Sequence, residues 1–336
     1  MSATTAAKYR TWCNRCMDFH VHFLHPKVFE RSTPHSPSTC FGKNPQDLNS
    51  PNFKRMLEPG RQIDDMDAWG VDTSIISSAD VVQSRSWAEP AEEGYLAALT
   101  NDMAADWAAR FPTRFIASGV LPLGDMDMAL RELERCLSMN IRILNLPSNY
   151  RDLYLGHARY ADLWAEIHAR QLVAFIHPDG VRDMWFQDYA MWNSIGQSIE
   201  EVRVMSSLIY EGVMECHRGL KIVMAHGGGY MPHYMGRLDR NASFRPWTTR
   251  NLSKKPSEYL IDFHYDSCVY DARTLELLVE RVGAERVVMG SDYPFGGFDP
   301  LDYLESAGQL SDTQRASIAG GTAATLLGTG PVGQAW

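Results

Sequence analysis

Eight short apolar runs, each separated from the next by a stretch of helical periodicity, constrain this chain more than any other feature. The runs are Met17–His22, Val71–Ser77, Phe115–Leu121, Ile141–Leu146, Leu172–His177, Leu220–His226, Asp262–Val269 and Arg286–Asp292. They are rich in Ile, Val, Leu and Phe, the composition of strands covered on both faces. Helical patterns lie between them at Asp64–Trp69, Glu92–Arg110, Asp127–Met139, Ala158–Arg170, Ile199–Cys216 and Ala272–Val282. A last helix, Ser311–Leu327, has Ser311 as its N-cap. Strands that alternate with helices form a parallel sheet. Eight such units predict an α/β fold of the closed (β/α)₈ (TIM) barrel type. A chain of 336 residues is long enough to form this barrel as a single domain. The competing doubly wound sheet carries a Gly-rich phosphate turn after its first strand. Here that strand runs on as HVHFLHP, which cannot make the turn. The expected boundaries are an N-terminal extension over 1–16, the barrel over 17–328 and a tail over 329–336.

Three connections are long: 23–60 with its prolines, 178–198 rich in Trp, Tyr and Met, and 227–261. All leave the C-terminal ends of strands, the face where barrel enzymes keep their sites, and long loops there act as lids or binding walls. The net charge of −9 gives no overall pull toward nucleic acid or an anionic membrane. The N-terminus has no apolar signal region, and no apolar run approaches the ~18 residues that would span a bilayer. The expectation is a cytoplasmic protein with no membrane or nucleic-acid partner. Six scattered cysteines in a large chain read as reduced thiols.

His20 and His22 are two apart on the first strand, so both rings project to one face. An HxH pair alone is weak. Its weight comes from His177, His226 and Asp292 at the tips of strands five, six and eight. Imidazole and carboxylate are suitable ligands for Zn²⁺ or a similar divalent ion. Two-metal barrel sites use a modified Lys at the end of strand four, whereas this chain offers Asn145, which points to one ion. His20, His22, His177 and Asp292 are the expected ligands, with a water in the open position and His226 beside it as general base and acid. Bound metal lowers the pKa of water from 15.7 to about 7, a change worth on the order of 12 kcal/mol.

The segments DFHVH, FIHP, MAHGGGYMPHYMGR and VVMGSDYPF resemble motifs of the amidohydrolase-related, metal-dependent decarboxylases, and HxH places the resemblance on their semialdehyde-decarboxylase side. The likeness runs from about residue 17 to 328. It implies carbon–carbon cleavage with release of CO₂ from an unsaturated or aromatic carboxylic acid, one divalent ion (usually Zn²⁺), and the ligand set and acid/base named above. It also implies that Arg237 reaches a neighbouring subunit's site to hold a substrate carboxylate, hence a homodimer. Guanidinium suits that role through its bidentate fork. The segment after His177 departs from the family order, so Asp179, Trp185, Trp192 and Asn193 are expected to shape the pocket for a different acid. Arg55 and Arg61 are the substrate-binding candidates of the first loop. A hydratase or hydrolase could use the same metal-bound water, and a catalytically silent metal protein is the third reading, against which an intact His226 weighs.

Other features read more plainly. Cys13 and Cys16 form a single CxxC without redox context. Gly227–Gly229 mark a close backbone approach at the barrel mouth. His157, His168 and His217 are surface residues. His233 and His264, placed nearer the mouth, have packing or supporting roles. Arg245, Arg250, Lys254 and Lys255 form a solvated loop.

Overall fold

The computed structural model describes residues 12–35, 50–179 and 184–328. Eight parallel strands follow one another around a barrel in chain order: β1 (Met17–Phe23), β2 (Thr73–Ser78), β3 (Phe115–Gly119), β4 (Ile143–Pro147), β5 (Val173–His177), β6 (Lys221–Met224), β7 (His264–Asp266) and β8 (Val287–Val288). Backbone hydrogen bonds close the ring between β1 and the segment after β8. Phe19 N donates to Met289 O at 2.8 Å, His22 N to Tyr293 O at 2.8 Å, and Tyr293 N to His20 O at 3.2 Å.

The interior is filled by Met17, Phe19, Ile75, Ile143, Val173, Phe175, Val223 and Val288, with Ala323, Leu326 and Leu327 of the last helix packed against the same cluster. The helices form the outer layer through apolar stripes. Met126–Ser138 buries Ala129, Leu133 and Cys136, one face of a 3.6-residue period, and Asp125 caps it by accepting from Met128 N at 2.9 Å. Ala272–Val282 has the bounds its pattern predicts and starts on an Asp271 cap.

Two expected helices are broken. Gln197–Tyr210 ends before Gly212, whose φ of 90° no helix accommodates, and Val213–Cys216 resumes beyond it. The C-terminal stretch keeps its Ser311 cap, reinforced by Gln314, but a π turn at Ser317–Gly321 interrupts it. There a Cβ on Gly320 would stand 2.0 Å from Arg15 O, so the chain passes too close to the start of β1 for any side chain. Cys13 and Cys16, at the end of the expected extension, are buried in the core, and neither is in a disulfide among the described residues.

The long connections hold short helices. Pro26–Ser32, Pro51–Leu57 and Pro59–Trp69 follow β1, each with Pro in its first turn. Met231–Tyr234 and Gly236–Phe244 follow β6. Among the described residues no helix is long and apolar enough to cross a membrane.

Candidate active site

The mouth of the barrel begins with an irregularity in β1. Its register against β2 shifts between Asp18 and Val21. A bulge of this kind turns consecutive side chains to one side. Phe19 stays in the interior cluster, 5.8 Å from the Phe175 ring, while the adjacent His20 ring also lies 5.1 Å from it. His20 and His22 then rise together into the mouth.

Three donor atoms meet there. His20 Nε2 and His22 Nε2 are 3.1 Å apart, His22 Nε2 is 3.1 Å from Asp292 Oδ1, and His20 Nε2 is 3.4 Å from the same oxygen. Tetrahedral bonds of about 2.0–2.1 Å put neighbouring donors about 3.3 Å apart, so this triangle has the dimensions of one coordination face. Its chemistry fits a cation as well. His20 Nδ1 lies 2.6 Å from Asp266 Oδ2, which holds the proton on Nδ1 and turns the Nε2 lone pair toward the other donors. The His177 ring is 5.1 Å from His20 and 5.0 Å from His22. One donor atom each from His20, His177, His226 and Asp292 also lies within 4.8 Å of the others, so His226 as well as His22 is in reach of a common ion.

His226 and Asp292 do not end strands as their runs predict. β6 stops at Met224 and β8 at Val288, and both residues sit in turns with positive φ, 47° for His226 and 54° for Asp292. Backbone strain of this kind gathers at functional sites. Behind His226, Glu201 Oε1 lies 2.6 Å from Nδ1. The Gly227–Gly229 run makes room for that contact: a Cβ on Gly229 would meet Ser198 O at 2.5 Å and Glu201 Oε2 at 2.8 Å. Gly227 N donates to Asp266 Oδ1 at 3.0 Å, and Tyr270 OH donates to Asp292 Oδ2 at 2.7 Å.

The electrostatics divide the histidines. Burial, reinforced by the neighbouring imidazoles, pushes His177 well below the ordinary histidine value. Burial likewise lowers His22. Both are therefore neutral, as ligands must be. His226 goes the other way: burial alone would lower it, but the Glu201 carboxylate and nearby Asp292 outweigh burial and raise it well above that value. Burial opposes the charge on Asp292, yet His20, His22 and His226 together hold its carboxyl well below the usual range.

The remaining predicted residues are dispersed. Arg237 lies exposed on Gly236–Phe244 and makes no hydrogen bond or ion pair among the described residues. Trp192 is buried in the π turn Trp192–Gly196, with its Nε1 unpaired among the described residues, while Asn193 beside it and Trp185 are exposed. Arg55 is tied to Asp65 at 2.8 Å and Arg61 to Glu58 at 2.5 Å. His264 is not near the mouth: it opens β7, so it stands at the opposite end of the barrel. Asp266, Glu201 and Tyr270 escape the sequence reading. Asp266 is an alternating polar residue inside the seventh run and could have been found. Glu201 is one of many helical carboxylates, and only the tertiary fold brings it to His226.

The amidohydrolase family profile matches residues 17–329. A 2-amino-3-carboxymuconate-6-semialdehyde decarboxylase from Dictyostelium discoideum is 30% identical over 280 residues, 82% of this chain and 77% of that protein. The solved 5-carboxyvanillate decarboxylase from Sphingomonas paucimobilis superposes with a TM-score of 0.84 at 27% identity, covering 93% of this chain and 98% of that one. A dihydroxybenzoic acid decarboxylase from Polaromonas sp., solved with manganese and 2-nitroresorcinol, shares the fold with a TM-score of 0.77 at 23% identity, covering 94% and 97%. The chain belongs to the amidohydrolase family.

Proposed function

We propose that His20, His22, His177 and Asp292 hold one divalent ion and that His226 is the proton donor and acceptor of the reaction. The activity is that of a carboxy-lyase: metal-dependent, non-oxidative removal of CO₂ from an unsaturated or aromatic carboxylic acid. The observation that carries the ligand assignment is the 3.1, 3.1 and 3.4 Å triangle of His20, His22 and Asp292 donors. When bound, the ion supplies Lewis-acid polarisation and neutralises charge on substrate oxygens.

The chain's own groups do the rest. Asp266 orients His20. Glu201 holds the Nδ1 proton of His226 and leaves Nε2 facing the mouth, 3.8 Å from Asp292 Oδ2. From Nε2 a proton passes to the substrate carbon that bears the carboxylate. The bond to CO₂ then breaks, its electron pair returns to the conjugated system, and a C–H bond replaces the C–C bond. Hydration or hydrolysis would retain that carbon, and the decarboxylase relatives do not favour it.

Zn²⁺ is our first assignment for the ion, since imidazole and carboxylate suit it. Mn²⁺, present in the Polaromonas neighbour, is the second. We assign residues 17–328 as one catalytic unit that works as a homodimer. Arg237, from the neighbouring subunit, would grip a second acidic group and Trp185, Trp192 and Asn193 would shape the pocket. Exposed Tyr230, Tyr234, Phe244 and Trp247 in the same region as Arg237, which is unpaired among the described residues, support that interface. The absence of a disulfide among the described cysteines supports a cytoplasmic setting.

The test is incubation of metal-loaded protein with 2-amino-3-carboxymuconate semialdehyde, 2,6-dihydroxybenzoate and 5-carboxyvanillate. Metal-dependent CO₂ release from one of them is expected. Incorporation of labelled solvent oxygen without loss of carbon would assign the site to hydration or hydrolysis instead.

A further inference from the structure

At the end of the barrel where strands begin, a cavity of about 310 Å³ opens among the starts of β6 and β7, the turn before β8 and the last helix. That volume is at the lower end of small-molecule sites. Two cations line it. Lys221 Nζ donates to Leu326 O at 3.1 Å, and the Arg286 guanidinium meets His264, with Nη1 3.4 Å from Nε2. Neither pairs with a carboxylate among the described residues, although the chain carries a net charge of −9. Two carboxylates border the cavity, and neither forms an ion pair with these cations among the described residues. Asp262 is held by Lys254 Nζ at 2.5 Å. The Glu285 carboxylate folds back over Gly283, its oxygens 2.3 and 2.6 Å from where a Cβ would stand. His264, whose Nε2 faces Arg286, is pushed down to about 4, first by burial and then by Arg286 and Lys221, so it adds no charge to the cavity.

We propose that this cavity binds a small molecule bearing a doubly charged oxyanion, a phosphate or a dicarboxylate, with the Arg286 fork and the Lys221 point charge as its two anchors. Such a ligand replaces the missing carboxylate partners of both cations in one step. The site is separate from the mouth and does not depend on the reaction assigned there.

The experiment titrates the metal-loaded full chain with inorganic phosphate and, separately, with succinate. Binding is read by calorimetry and by the concentration-dependent rise in thermal stability that ligation of the native state produces. Saturable binding of at least one probe is expected. Arg286→Met and Lys221→Met should each weaken it by about tenfold or more, the size of a lost charge-assisted hydrogen bond, while kcat is unchanged. Arg286→Lys keeps the charge and loses the fork, so it should bind with intermediate affinity and remain readable if a Met variant folds poorly. Phosphate binding alone would identify a phosphate ligand, and succinate binding alone a dicarboxylate. Equal affinity in wild type and variants would place the anion elsewhere, at the metal-binding mouth, and overturn the proposal. So would the absence of saturable binding by both probes.

Discussion

The two ends of the barrel both bury histidine but surround it with opposite charge. At the mouth, Asp266 and Asp292 face His20 and His22, and Glu201 faces His226. At the base, Arg286 and Lys221 press on His264. The same side chain is thereby set for different work: carboxylates turn imidazole lone pairs toward the proposed cation or favour an imidazolium, while cations keep an imidazole neutral beside the proposed anion site. The difference lies in what the strand ends present, since the strands that begin at the base supply, directly or through the turns that follow them, Asp266, Asp292 and His226 at the mouth, and the helix Gln197–Tyr210 adds Glu201.

Four substitutions sharpen or break this contrast. His226→Asn should lower kcat by about 10²–10⁴, the usual share of a general acid, with metal content unchanged; steady-state kinetics beside elemental analysis would show it. At the base, the folded-state value of His264 is about 4 against an ordinary 6.5. The stability it contributes is therefore complete above 6.5 and is lost as pH falls through about 4, up to about 3 kcal/mol in all. His264→Asn should flatten denaturant-measured stability across that window, and an unchanged slope would remove the charge difference between the two ends. Asp266→Asn leaves every proposed ligand in place but should weaken metal affinity by about 10–100-fold in a chelator competition. Ser311→Ala, at the Ser311 cap of the last helix, should cost only about 1 kcal/mol in unfolding and leave activity alone.

Much of the barrel was legible because its periodicity is local. The run Met17–His22 became β1, Leu172–His177 became β5, and Ala272–Val282 is a helix with those bounds. Where the chain departs from the reading, backbone conformation is responsible. His226 and Asp292 look like strand tips in the sequence, but positive φ values carry them past the ends of β6 and β8. The parity of HxH was sound for two rings on one face, while the bulge that puts His20 on the same side as Phe19 has no composition of its own. Glu201 was invisible for a different reason: a contact 25 residues away in sequence, across a glycine-lined turn, exists only once the helix after β5 docks. The run Asp262–Val269 predicts His264 within a strand and near the mouth, whereas the strand begins with His264, which puts it at the opposite end.

Metal stoichiometry in two paired variants tests the division of labour at the mouth most directly. Purified wild type is expected to hold one divalent ion per chain, His226→Ala to keep it, and His22→Ala to lose it. Retention of the ion by His22→Ala together with its loss from His226→Ala would exchange the two roles and contradict the account.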